Sequence, residues 1–149
     1  MEQRAAQGYI MSHYYPYAPY ADAMPRRLVV VIDDSPTIRK IVEVTFTREG
    51  YEVLSFGDGM AALRALTAPG AAWPSVIFID LQLPGMDGLQ VVRMLRQRPA
   101  FARTKLVILS RRSGVLDRLL ARLAGVDAYL VKPVRTEVLL AQGAMGERV

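Results

Sequence analysis

Five short apolar runs punctuate the chain: "LVVVI" at 28–32, "YEVLS" at 51–55, "VIFID" at 76–80, "LVILS" at 106–110 and "AYLV" at 128–131. Each is too short for a helix and rich in the β-branched residues that favour strands. Amphipathic stretches with helical spacing lie between them. Ser35 and Pro36 suit the cap and first turn of a helix, and Ile38, Ile41, Val42 and Thr45 then share one face, with Gly50 ending the helix. Met60–Thr67 reads as a short helix. Gly88–Gln97 reads as another, with Leu89, Val92, Leu95 and Met94 inward. Leu116, Leu119, Leu120 and Leu123 mark the next, and a last helix begins near Thr136. Uninterrupted apolar strands alternating with helices require a parallel sheet covered on both faces.

Such sheets bind ligands at the carboxyl ends of their strands. The first run is followed by Asp33 and Asp34, and the third ends in Asp80. The fourth ends in Ser110, and the fifth is followed by Lys132 and Pro133. Three carboxylates, a hydroxyl and an ammonium thus meet on one sheet edge from positions spread over the whole fold. Clustered carboxylates resist joint ionisation without a cation. With oxygen ligands alone, Mg²⁺ is the natural ion, and it keeps open positions for a phosphate. Lys132 and Ser110 can hold further phosphoryl oxygens. Asp80 is then a candidate nucleophile forming an acyl phosphate. Taken singly, Asp34 reads as a helix-entry carboxylate, Lys132 as a surface charge and Tyr129 as a half-buried strand aromatic; only the joint pattern argues for a site.

Composition narrows the chemistry. The 149 residues fit one domain. There is no cysteine and a single histidine, His13, so thiolate catalysis, cysteine-based zinc sites and a serine–histidine–aspartate triad are not expected. No run approaches the roughly 20 apolar residues of a membrane span. The formal net charge is +5. An acidic partner or nucleic acid would suit that sign, and a solvated arginine-rich surface is the plainer account. Between Gly88 and Ala124 there are nine Lys/Arg against one acid, Asp117. Residues 1–27 hold five of the seven tyrosines and three prolines, with no apolar periodicity. They read as a flexible N-terminal extension, with the folded domain at 28–149. Translation starting at Met24 would also give a compact domain.

"VVVIDDS", "VIFIDLQLPGMDG", "VILS" and "AYLVKP" together resemble the receiver domain of two-component response regulators, from about Leu28 to Leu140. The resemblance implies the flavodoxin-like receiver fold, a doubly wound α/β domain with strand order 2-1-3-4-5. It implies that Asp33 and Asp34 hold Mg²⁺ directly or through water, with the backbone carbonyl of Gln82 as a further ligand. It makes Asp80 the phosphoacceptor, Ser110 the switch hydroxyl and Lys132 the phosphate-binding lysine. Tyr129 becomes the aromatic switch that turns inward, Pro133 the proline after a cis peptide bond, and Pro84, Gly85 and Gly88 the tight loop. It also implies a cytoplasmic signalling protein, not an enzyme beyond its own phosphorylation and dephosphorylation. A histidine kinase or phosphotransfer protein would be the donor, and a separate protein would read the output.

Two departures stand out. A small residue usually follows the switch hydroxyl in this family, whereas here Arg111 and Arg112 do; Arg111 is expected to slow loss of the phosphoryl group. Gly143 and Gly146 each cost a helix about 1 kcal/mol, so the last helix is expected to be short or frayed. In the family the face of the fourth helix, fifth strand and fifth helix often dimerises or meets a partner, and a weak last helix argues against a dimer here. The sequence fixes no oligomeric state. No helix-turn-helix or other nucleic-acid reader follows the domain, so nucleic acid is not the expected partner. Two alternatives are a haloacid-dehalogenase-type phosphatase, which wants Asp-x-Asp where this chain has Asp33-Asp34-Ser35, and a scaffold receiver that never uses phosphate.

Overall fold

The computed structural model describes residues 27–146, with side chains through residue 143. Residues 1–26, most of the expected extension, lie outside the described residues. Five strands, β1 (Leu28–Ile32), β2 (Glu52–Phe56), β3 (Val76–Asp80), β4 (Lys105–Ser110) and β5 (Ala128–Val131), form one parallel sheet in the order β2-β1-β3-β4-β5. The helices are α1 (Pro36–Thr47), α2 (Gly59–Thr67), α3 (Gly88–Arg96), α4 (Val115–Ala124) and α5 (Thr136–Gly146), with a 3₁₀ turn at Pro99–Phe101.

The central strands β1, β3 and β4 are buried almost throughout, and the pleat divides their side chains between two cores. Val30, Ile32, Ile77, Ile79, Leu106 and Ile108 pack under α2, α3 and α4. Val29, Val31, Val76, Phe78, Val107 and Leu109 pack under α1 and α5, around the fully buried ring of Phe46.

Local chemistry sets the helix starts. Ser35 Oγ accepts the Ile38 N–H, Asp58 Oδ1 accepts that of Ala61, and Asp87 Oδ1 accepts that of Leu89 while Gln90 reaches back to the Asp87 N–H. Helix α4 begins, at Gly114, without a side-chain cap. Its C-terminal end is fastened by Arg96, whose guanidinium donates to the carbonyls of Gly125, Phe101 and Thr104 and pairs with Asp127 at 2.6 Å.

Three expectations need correction. Met94 points to solvent, and Val91 takes the inward place in α3 instead. In α1 Ile41 is exposed, and Phe46 fills the core one turn further on. The last helix is not short: α5 runs eleven residues through both glycines. Gly143 is required by packing, since a Cβ there would lie 2.7 Å from Cε1 of Phe46. The space for an aromatic ring outweighs a helix-propensity deficit of about 1 kcal/mol.

Candidate functional site

Parallel pairing brings the ends of β1, β3, β4 and β5 to one edge. Carboxylate oxygens of Asp33, Asp34 and Asp80 lie within 4.8 Å of one another. Asp33 is fully buried, Asp80 nearly so, and Asp34 is exposed. Lys132 reaches between the two buried ones, with Nζ 2.8 Å from Asp33 Oδ2 and 3.5 Å from Asp80 Oδ2. Its backbone N–H is held by the carbonyl of Ser110 at 2.7 Å, which ties the β5 end to the β4 end. The Lys132–Pro133 peptide bond is cis.

The free oxygens are unevenly shared. Asp33 uses both: Oδ1 accepts the Ser35 N–H at 2.9 Å and Oδ2 takes Lys132. Its own carbonyl accepts Arg39 Nη1 at 2.7 Å. Asp80 Oδ1 accepts the Gln82 N–H at 3.2 Å. Burial, and next the Asp33 carboxylate, push the Asp80 carboxyl up from 3.8 to about 6, although the Gln82 N–H and Lys132 pull the other way. A carboxyl raised by burial and by a neighbouring carboxylate is a group short of positive charge, so the donor set suits a hard divalent cation such as Mg²⁺.

The loop after β3 is shaped by two glycines. Gly85 has φ +70°, in the left-handed region that glycine enters freely. Gly88 sits so close to the strand end that a Cβ would lie 2.2 Å from the Asp80 carbonyl oxygen. Pro84, between them and β3, is exposed.

Ser110 is buried at the end of β4, and its hydroxyl oxygen accepts the Arg112 N–H at 3.0 Å. Tyr129 is half-buried against the α3–α4 side of the core, and its hydroxyl donates to the Arg112 carbonyl at 2.8 Å. Both side chains therefore bind the backbone of one residue, Arg112, in the β4–α4 loop, Ser110 at its N–H and Tyr129 at its carbonyl. Arg118 lies over the Tyr129 ring at 5.2 Å, and Arg112 pairs with Asp117 at 3.6 Å. Arg111 is exposed beside Ser110.

Sequence reasoning missed Arg39. It follows Ser35 by one helical turn, and that spacing was the available signal, since it points the side chain back at the β1 end. The Lys132–Asp33 pair was also missed, because 99 residues separate the partners.

Comparison with known proteins agrees with this geometry. Residues 29–143 match the family described as the response regulator receiver domain. The chain is 37% identical over 112 residues to Protein PilG of Pseudomonas aeruginosa, covering 75% of this chain and 81% of PilG. It is 32% identical over 117 residues to the DNA-binding response regulator MtrA of Mycolicibacterium smegmatis, covering 78% of this chain and 49% of MtrA. The solved structure of chemotaxis response regulator CheY4 of Vibrio cholerae superposes with a TM-score of 0.73 at 29% identity, covering 80% of this chain and 97% of CheY4. The chain belongs to the receiver-domain family of two-component response regulators, and its strand order is that of the receiver fold. Receiver domains are signalling modules rather than enzymes, which leaves the haloacid-dehalogenase alternative without support. Among the described residues no helix is long and apolar enough to cross a membrane.

Proposed function

We propose that Asp80 accepts a phosphoryl group from a histidine kinase or phosphotransfer protein, with Mg²⁺, and that the altered surface signals to a separate protein. The observation that carries this reading is the nearly buried Asp80 carboxylate, within 4.8 Å of two further carboxylates and 3.5 Å from Lys132. Asp34 is exposed and suited to face the ion directly, with Asp80 and the Gln82 carbonyl. Asp33 has both oxygens engaged, by the Ser35 N–H and Lys132, and would support the ion from behind Asp34 and Asp80.

In the transfer, an Asp80 oxygen forms a new bond to phosphorus while the bond from phosphorus to the donor breaks and the leaving group keeps the electron pair. The nucleophile is a carboxylate, so no base is needed to activate it. When bound, Mg²⁺ offsets charge on the transferring phosphoryl oxygens. Lys132 moves little to meet one of those oxygens, because Ser110 holds its backbone in place. The Ser110 hydroxyl leaves the Arg112 N–H to donate to another, and Tyr129, bound to the carbonyl of the same residue, feels that exchange. Arg111 shields the product from water. The receiver unit begins at residue 28, with the preceding residues an extension to it.

Incubation with acetyl phosphate and Mg²⁺ tests the reading by intact mass. The wild type gains one phosphoryl group, and Asp80→Asn gains none. A wild type that stays unlabelled, where another receiver labels, would remove the phosphoacceptor role.

A further inference from the structure

Helix α4 differs from the other well-described helices. It buries only Ala121, whereas α1 to α3 each bury two or more residues. Its apolar residues face outward instead: Val115 is 84% exposed, Leu116 66%, Leu119 49%, Leu120 43% and Leu123 75%. Capping, core burial and the sheet explain none of these five. Contiguous exposed apolar surface of this kind marks a binding site.

The direction of the stripe is set by helical geometry. At about 100° per residue, Leu116, Leu120 and Leu123 fall on the side of α4 toward α3, and Arg118 and Arg122 on the side toward β5. Arg118 lies over the Tyr129 ring, which fixes that assignment. Leu120 also lines a groove of about 470 Å³, whose opposite wall is Leu81, Leu83, Met86 and Leu89. The apolar surface therefore runs from the crest of α4 down into the space between α4 and the β3–α3 loop.

The rim is basic. Arg93 follows Leu89 by one turn on α3, and Arg111 and Arg112 sit on the β4–α4 loop. Two acids lie at the groove, and both are engaged: Asp87 caps α3 and Asp117 pairs with Arg112.

We propose that this α3–α4 surface docks an acidic amphipathic helix of a partner protein, with leucine-like side chains in the groove and carboxylates on the arginine rim. A second copy fits poorly, because an isologous pairing of α4 on α4 brings arginine rim against arginine rim. Duplex nucleic acid would set its phosphates against exposed leucines at the centre of the surface. Residues 1–26 carry two acids, Glu2 and Asp22, against two arginines, Arg4 and Arg26, and so lack the excess acid that the rim calls for. The proposal needs no phosphorylation, so it stands or falls separately from the role of Asp80.

The test uses the full chain, without divalent ions or phosphoryl donor, against a display library of helical peptides of varied flank charge. The enriched peptides are expected to carry apolar residues at i, i+4 and i+7 flanked by Asp and Glu. Their binding is expected to weaken about tenfold or more with Leu120→Glu or Leu116→Glu, to weaken with salt, and to be unaffected by Val138→Glu on the other side of the domain. The Leu116 and Leu120 positions are exposed, so these variants are expected to fold, which far-UV circular dichroism checks. Enrichment of basic peptides, or binding that Leu120→Glu leaves unchanged, overturns the proposal. So does a dimer that Leu120→Glu dissolves, salt-sensitive retention on duplex DNA lost in the same variant, or peptide binding seen only after residues 1–26 are removed.

Discussion

At the scale of the residue, Asp80 carries an internal conflict that can be measured. Its carboxyl titrates near 6 rather than 3.8, so its contribution to folding is most favourable in acid and is lost as pH rises through 6. Without divalent ions, Asp80→Asn should therefore melt higher than the wild type at pH 8, by about 1–2 kcal/mol after allowance for screening, and the difference should vanish by pH 4. Added Mg²⁺ should raise the melting temperature of the wild type at pH 8 and do much less for Asp80→Asn. A mutant no more stable than the wild type at pH 8 would contradict this. Arg111 gives a kinetic prediction: Arg111→Ala should shorten the lifetime of the phosphorylated, Mg²⁺-bound protein several-fold, followed as loss of label with time. An unchanged rate would mean that its side chain serves only the solvated surface. Most of the site was legible in the chain because strand ends are easy to locate when strands are apolar. Asp33, Asp34, Asp80, Ser110 and Lys132 all sit at such ends. What stayed hidden was which group engages which. Nothing local in the sequence says that Lys132 takes Asp33 at 2.8 Å and Asp80 only at 3.5 Å.

At the scale of the element, the strands were easier to read than the helices. β1, β3 and β5 have the bounds that their composition suggested: β1 and β3 because buried strands are continuous apolar runs, and the half-buried β5 because its short run is apolar too. Helix faces were less certain. Periodicity finds a stripe of leucines in α4 but does not say whether the sheet or the solvent receives it, and here the solvent does. The glycines of α5 looked like flaws because propensity is a local quantity, whereas Gly143 answers to Phe46, far away in sequence. Gly143→Ala is therefore expected to destabilise the domain by about 1–3 kcal/mol in urea unfolding, despite a gain in helix propensity. A neutral or stabilising result would mean that the Phe46 ring gives way. The edge-on contact Phe46 makes with Tyr51 and its tilted contact with Phe78, at 5.2 and 5.5 Å between ring centres, argue that it does not.

At the scale of the whole molecule, the fold's main act is to bring three strand ends and a lysine together from positions 33 to 132. Two cores hold the sheet rigid from both faces, so the carboxylates stay close despite their repulsion. On the proposed reading that repulsion becomes affinity for a cation, which would let a carboxylate act as a nucleophile toward a charged phosphoryl group. Helix α4 is the exception to the rigid plan, uncapped at its start and buried at one residue. It begins at the loop where the Arg112 backbone engages both Ser110 and Tyr129, so on the proposed reading a change at the sheet edge is expected to reach its surface. The central claim is that Asp80, and neither aspartate of the Asp33–Asp34 pair, takes the phosphoryl group. Borohydride reduction of protein phosphorylated by acetyl phosphate and Mg²⁺ converts an aspartyl phosphate to homoserine, which peptide mass spectrometry can place. Homoserine at position 80 alone is the predicted result, and homoserine at position 33 or 34 would contradict the account.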